Sequence, residues 1–233
     1  MREEVHRIPV DGQKLALVLH LTERTPAPCV VACHGLGASK DSEKYLLLGR
    51  EFPKDDLALA RFDFRGCGES DGVYAETTVE SRVRDLECVL DFLAEHPALN
   101  GRFGLLGSSM GGYVALFVAA RRSLPVVTWD APATLRGLTR SDSQDLAGLG
   151  SAFFEELRAG QFAETPPGVR GCLIIQAEQD EIVPPVHGRL LFDRAVDPRE
   201  LVILSGADHR LTDMAHRMEA VARSLAWLRR FLL

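Results

Sequence analysis

Short apolar runs alternate with helix-length amphipathic segments along most of this chain, and few folds accommodate that alternation. "PCVVACHG" (28–35) is continuously apolar up to a glycine loop, the pattern of a strand buried on both faces. "LALARFDF" (57–64), residues 102–106, residues 125–129, "GCLIIQA" (171–177) and "ELVILSG" (200–206) read as further strands. Between them, residues 40–52, 78–95, 110–121, 186–195 and 212–232 read as helices. In the second of these, Val79, Val83, Leu86, Val89, Leu90 and Leu93 share one face, and Pro97 closes the segment. Strands that take turns with helices predict an α/β protein, with a mostly parallel sheet covered by helices on both faces. "EVHRIPV" and "KLALVLH" flank Asp11-Gly12, which predicts an antiparallel N-terminal hairpin at one edge.

Residues 133–168 break the rhythm. The stretch is longer than a crossover needs, is rich in glycine, proline and polar residues, and carries one convincing helix near 152–159. Long insertions in compact domains often serve as lids, so a small cap is expected here on a single domain spanning 1–233. Phe153, Phe154 and Phe162 would then either line a substrate pocket beneath the cap or dock the insertion onto the body.

Composition narrows the partners. A net charge of −6 argues against a nucleic-acid backbone. The five cysteines are odd in number and none stands in a CxxC pair, which predicts reduced thiols and no disulfide framework or zinc site. "MREEVHRIPV" does not resemble a secretory signal, and no apolar stretch is long enough to cross a bilayer. A cytoplasmic protein that engages no membrane is expected.

In a parallel sheet, functional groups gather beyond the carboxyl ends of the strands. The strand ending at Leu106 runs into Gly107-Ser108-Ser109-Met110-Gly111 and then into a helix. A Gly-x-Ser-x-Gly turn between strand and helix holds a serine on a sharp, exposed elbow, with free helix N–H groups nearby for an oxyanion. The motif alone also fits an ordinary glycine-rich turn. A serine needs a base to remove its proton and an acid to orient that base. Two later strand ends offer them: "EQDEIVP" supplies Glu178, Asp180 and Glu181, and "ADHRL" supplies His209. Asp130, at the end of "VVTWD", is a rival acid. His187 and His216 fall within predicted helices, and His6, His20 and His96 lie on the hairpin or at a helix end without evident partners.

With "HGLGAS", "FDFRGCGESDG", "GSSMGG", "QDEIVP" and "GADHRL" standing in this order, the chain resembles the α/β-hydrolase superfamily over essentially its full length. The resemblance implies Ser109 as nucleophile, Asp180 as acid and His209 as base. It further implies that the N–H groups of Leu36 and Met110 form an oxyanion hole, and that His34 braces the oxyanion loop. Cys67, Asp63 and Arg65 would be packing and hydrogen-bonding residues of a loop on the same side. The segment from Phe62 to Leu93 looks most like cinnamoyl and feruloyl esterases and their carboxylesterase and acylglycerol-lipase relatives, which often carry histidine where this chain has Cys67. Expected is a serine esterase acting on a small-molecule ester, a monomer or homodimer, with no metal and no organic cofactor. A peptidase, thioesterase, acyltransferase or non-catalytic binding protein on the same fold is the alternative.

Overall fold

The computed structural model describes residues 2–233. β1 (Arg2–Val10) and β2 (Gln13–Leu21) form the expected antiparallel hairpin, in register from Arg2↔Leu21 to Val10↔Gln13. Asp11 (φ 48°) and Gly12 (φ 81°) make the turn. Positive φ at both central residues gives a turn whose twist suits the flanking strands. β2 pairs antiparallel with β4 (Ala58–Phe62). From there the sheet is parallel, through β3 (Ala27–Cys33), β5 (Leu99–Ser108), β6 (Val126–Trp129), β7 (Cys172–Ala177) and β8 (Arg199–Leu204). The spatial order is β1-β2-β4-β3-β5-β6-β7-β8.

Every residue of β3, β4, β6 and β7 is buried, which follows from helices covering both faces. α2 (Val79–Ala94), α3 (Met110–Arg122) and α6 (Val186–Arg194) bury residues against one face, α1 (Glu43–Glu51) and α7 (Met214–Leu232) against the other. The whole predicted apolar face of α2 is buried. Its first turn is fixed by a capping box: the Ser81 N–H donates to Thr78 Oγ1 and the Thr78 N–H to Ser81 Oγ, both at 3.0 Å.

α1 starts later than residue 40 because Lys40 is tied elsewhere. Its N–H donates to Asp63 Oδ1 (2.7 Å), and its buried ammonium pairs with Asp41, Asp63 and Glu69. α7 likewise starts at Met214, where Asp213 caps the Ala215 N–H (2.7 Å).

Between β6 and β7 the chain forms α4 (Gln144–Ala147) and α5 (Ser151–Ala159), the first unexpected from the sequence. The stretch is stitched to itself by a bridge of Thr134 with Glu164, and to the body by Tyr113, whose hydroxyl donates to Phe162 O (2.6 Å). Glu156 of α5 accepts the N–H groups of Val79 and Glu80 (2.7 and 2.9 Å), so its carboxylate serves the start of α2.

Two of the three phenylalanines proposed for substrate binding do other work. Phe153 (0% exposed) and Phe162 (1%) belong to the main core. Phe162 packs edge-on against Phe117 of α3 at 5.1 Å, and Phe153 against Phe154 at 5.3 Å. A bare helix pair over the sheet cannot bury itself, and these rings supply the apolar contact that docks it. Phe153→Ala should therefore cost about 3–5 kcal/mol of stability, read as a lower urea midpoint at unchanged m-value. A loss below about 1 kcal/mol would show the ring to be free of the core.

Candidate active site

Ser109 stands alone between β5 and α3, with φ 54° and ψ −126°. An L-residue adopts such a conformation only where its surroundings impose it. Here the Ser109 N–H donates to Trp129 O (2.8 Å) and its carbonyl accepts the Tyr113 N–H (3.1 Å). The flanking glycines permit the approach. A Cβ on Gly107 would lie 2.4 Å from Gly111 O, and one on Gly111 would lie 2.1 Å from Cys33 O. No other residue fits at either place.

The structure brings His209 and Asp180 together. His209 Nδ1 lies 2.8 Å from Asp180 Oδ2, with both side chains almost fully buried. Asp180 Oδ1 accepts the N–H groups of Ile182 (2.9 Å) and Val183 (2.7 Å), which fixes the carboxylate. With Nδ1 turned to Asp180, His209 keeps Nε2 for the cavity. Ser109, His209, Leu36 and Met110 line one cavity of about 490 Å³. Met110 is the first residue of α3, so its N–H has no acceptor within the helix. Its apolar lining includes Leu135, Leu138, Leu146, Ile182 and Val183. Phe154 instead lines a neighbouring cavity of about 640 Å³, with Arg140 stacked 5.4 Å from its ring.

The rival acid has a different place. Asp130 Oδ1 accepts the Ala177 N–H (2.6 Å) and one Gln176 Nε2 hydrogen (3.3 Å), while Oδ2 has no partner and no hydrogen bond joins it to His209. Burial, aided by the Asp180 charge, pushes the Asp130 carboxyl up to about 7. Gln176 Nε2 also reaches Asp180 Oδ2 (3.3 Å), so one buried amide bridges both carboxyl groups. Nothing in the sequence marks Gln176, because only the β7 pleat turns it towards both strand ends. Glu178 faces solvent and accepts from Ser205 and Gly206.

His34 is buried, donates through Nδ1 to Gly35 O (2.8 Å) and accepts the Phe64 N–H at Nε2 (3.1 Å). Burial and nearby Arg82 hold it far down, at about 3, so it is a neutral strut between the loops after β3 and β4. The β4 loop is itself cross-tied: Asp63 accepts the N–H groups of Lys40 and Glu69, and Arg65 pairs with Asp85. Cys67 is buried under Arg82 (3.5 Å), and burial raises its thiol. All five cysteines are free thiols. Among the described residues, Glu4, His6 and His96 bring potential metal ligands together at the sheet edge, outside the cavity. The Ala98 N–H meets His96 Nδ1 (3.3 Å), which leaves the proton on Nε2 for Glu4 (2.9 Å) and satisfies the pair without an ion.

A family described as serine aminopeptidase, S33, matches residues 24–131. The palmitoyl-protein thioesterase ABHD10, mitochondrial, of Mus musculus is 29% identical over 191 residues, 68% of this chain and 61% of that protein. The match thus spans about three fifths of that curated relative. The solved structure of mouse alpha/beta hydrolase domain-containing protein 10 superposes with a TM-score of 0.80 at 22% identity, covering 97% of this chain and 99% of that one. Est1E from Butyrivibrio proteoclasticus, solved with ferulic acid, gives a TM-score of 0.80 at 19% identity, covering 96% and 99%. Among the described residues no helix is long and apolar enough to cross a membrane.

The raised Asp130 has a measurable consequence. A carboxyl whose folded pKa exceeds its unfolded value contributes stability below the unfolded value of 3.8, and loses it as pH climbs through about 7. In Asp130→Asn that loss disappears. The variant should gain on the native protein between pH 4 and pH 8, by at most about 4 kcal/mol in urea unfolding. A stability difference that stays constant across that range would show Asp130 ionising normally.

Proposed function

Starting from a chain that belongs to the α/β-hydrolase superfamily, we propose that it is a serine hydrolase cleaving carboxylic esters of small to medium acyl or aromatic acids through an acyl-enzyme. The observation that carries the reading is the Asp180–His209 pair at 2.8 Å, buried behind the cavity that Ser109 enters from its strained elbow. His209 Nε2 takes the Ser109 proton as Oγ attacks the ester carbonyl. The N–H groups of Leu36 and Met110 receive the oxyanion. The C–O bond breaks, and His209 returns the proton to the leaving alcohol. Water, deprotonated by the same imidazole, then releases the acid and restores Ser109. Asp180 keeps the imidazole in one tautomer and stabilises its charged form.

The cavity of about 490 Å³ falls within the roughly 300–1,000 Å³ usual for small-molecule sites. Residues 133–168 act as its cap, since Thr134, Leu135, Leu138 and Leu146 line it. Ferulic acid in the Est1E structure supports an aromatic acid. A thioester is the second reading, favoured by the name of the mouse relative. The same nucleophile and oxyanion hole serve either bond. A cytoplasmic location accords with free cysteines throughout.

The test is hydrolysis of p-nitrophenyl esters from acetate to palmitate, of methyl ferulate, and of a palmitoyl thioester, by the native protein and Ser109→Ala. Activity that disappears in Ser109→Ala supports the mechanism, and the best substrate decides the bond. An inert native protein would overturn it. Asp180→Asn should lower kcat about 10³- to 10⁴-fold, and Asp130→Asn less than about tenfold. The reverse order would make Asp130 the acid.

A further inference from the structure

The cavity that Ser109 enters is also lined by three cations. Lys44, near the start of α1, sends Nζ to Ser108 Oγ (2.8 Å), one residue from the nucleophile. Arg210 follows His209 directly and lines the same cavity, as does Arg217 from α7. Arg217 is already engaged: Nη1 meets Glu43 Oε2 at 2.7 Å, and Nε holds Leu211 O at 3.1 Å. Lys44 and Arg210 have no carboxylate within 4.0 Å among the described residues. Asp208 is occupied by Thr212. Asp130 faces the β7 backbone, Asp142 holds the Thr139 turn, and the Asp145 carboxylate lies against Gly37.

A cation drawn into a cavity wall loses hydration, and a protein ordinarily returns it as an ion pair. Here the return is a single hydroxyl. Burial moves the Lys44 ammonium down to about 8; Asp130 gives the strongest opposing pull, while Arg217 and Arg210 add to the lowering and Asp208 opposes it. Folding gives Lys44 one hydroxyl and Arg210 no carboxylate, whereas an anion between them would pair both at once.

His209 indicates which part of a substrate lies there. The imidazole that takes the Ser109 proton must pass it to the leaving oxygen, so the leaving group rests against the His209 loop. Arg210 is the next residue of that loop. Resting on the acyl-transfer mechanism above, we propose that Lys44 and Arg210 form a subsite for a carboxylate or phosphate carried by the leaving group. The substrates would be esters of hydroxy acids or of phosphorylated alcohols. The acyl part would occupy the apolar lining, and the product alcohol would leave as an anion-bearing molecule.

Three acetates test it: 4-acetoxybenzoate, 4-acetoxyphenyl phosphate, and the neutral methyl 4-acetoxybenzoate. In each, the aryl ester C–O bond breaks, the acetyl group passes to Ser109 and the phenol leaves with the proton from His209. The readout is kcat/KM divided by the rate constant for hydroxide hydrolysis, expressed as the ratio of each anion to the neutral ester. We expect a ratio above about tenfold for one anion or both, falling with added NaCl. It should drop about tenfold or more in Lys44→Met and Arg210→Gln. Which anion gives the larger ratio identifies the group recognised. Arg210 is exposed, so Arg210→Gln carries the test if Lys44→Met does not fold. A ratio near one, or one that neither substitution changes, overturns the subsite while leaving acyl transfer intact. If none of the three acetates is cleaved while another ester is, the subsite is overturned alone. Failure on every ester and thioester removes the mechanism and the subsite with it.

Discussion

Everything at this site depends on how closely three stretches of backbone approach where β5 ends. Cys33 closes β3, Gly107 is the penultimate residue of β5, and Gly111 lies in the first turn of α3, so near one another that a single methyl group at either glycine would collide with a carbonyl. That approach forces Ser109 into a conformation costing on the order of 1–3 kcal/mol. The hydrogen bond from its N–H to Trp129 and the buried sheet beneath it hold the strain in place. In return the hydroxyl stands at the head of a helix, where unpaired N–H groups already point. The elbow is therefore a consequence of packing before it is a catalytic device.

Electrostatics complete what packing begins. Asp180, Asp130 and His34 all follow strands of the parallel sheet but occupy different environments. Asp180 receives two backbone N–H groups and an imidazole, which fix its carboxylate. Asp130 has one oxygen without a partner and stays protonated to about 7. His34 is sealed between two loops and stays neutral. Gln176 joins the two carboxyl groups, so a shift of one is felt by the other. The insertion between β6 and β7 brings another division of labour. Phe162 fastens it to α3 and Phe153 joins the core, while its leucines, from Leu135 to Leu146, shape the cavity.

Much of this was legible in the residues. Alternation of apolar strands and amphipathic helices specified a parallel sheet, because a strand buried on both faces must be apolar throughout. Asp11-Gly12 specified the hairpin through its dihedral angles. Gly107 and Gly111 around Ser109, and polar groups at the ends of β7 and β8, marked the candidate site because chemistry collects at carboxyl ends. Lys44, Arg210 and Gln176 carried no such mark. Each is an unremarkable polar residue in its own segment, and its meaning comes from neighbours distant in the chain.

The sequence by itself determined the order of elements, the elbow and the candidate chemistry, since these rest on local periodicity and on backbone angles that few residues can adopt. Only the tertiary structure decided that His209 pairs with Asp180 and not Asp130, that Phe153 and Phe162 belong to the core, and that unpaired cations line the cavity that Ser109 enters. The reason is physical. Hydrogen-bond partners, burial and the field at a charge are set by contacts across the sheet, and the linear order of residues does not specify those distances.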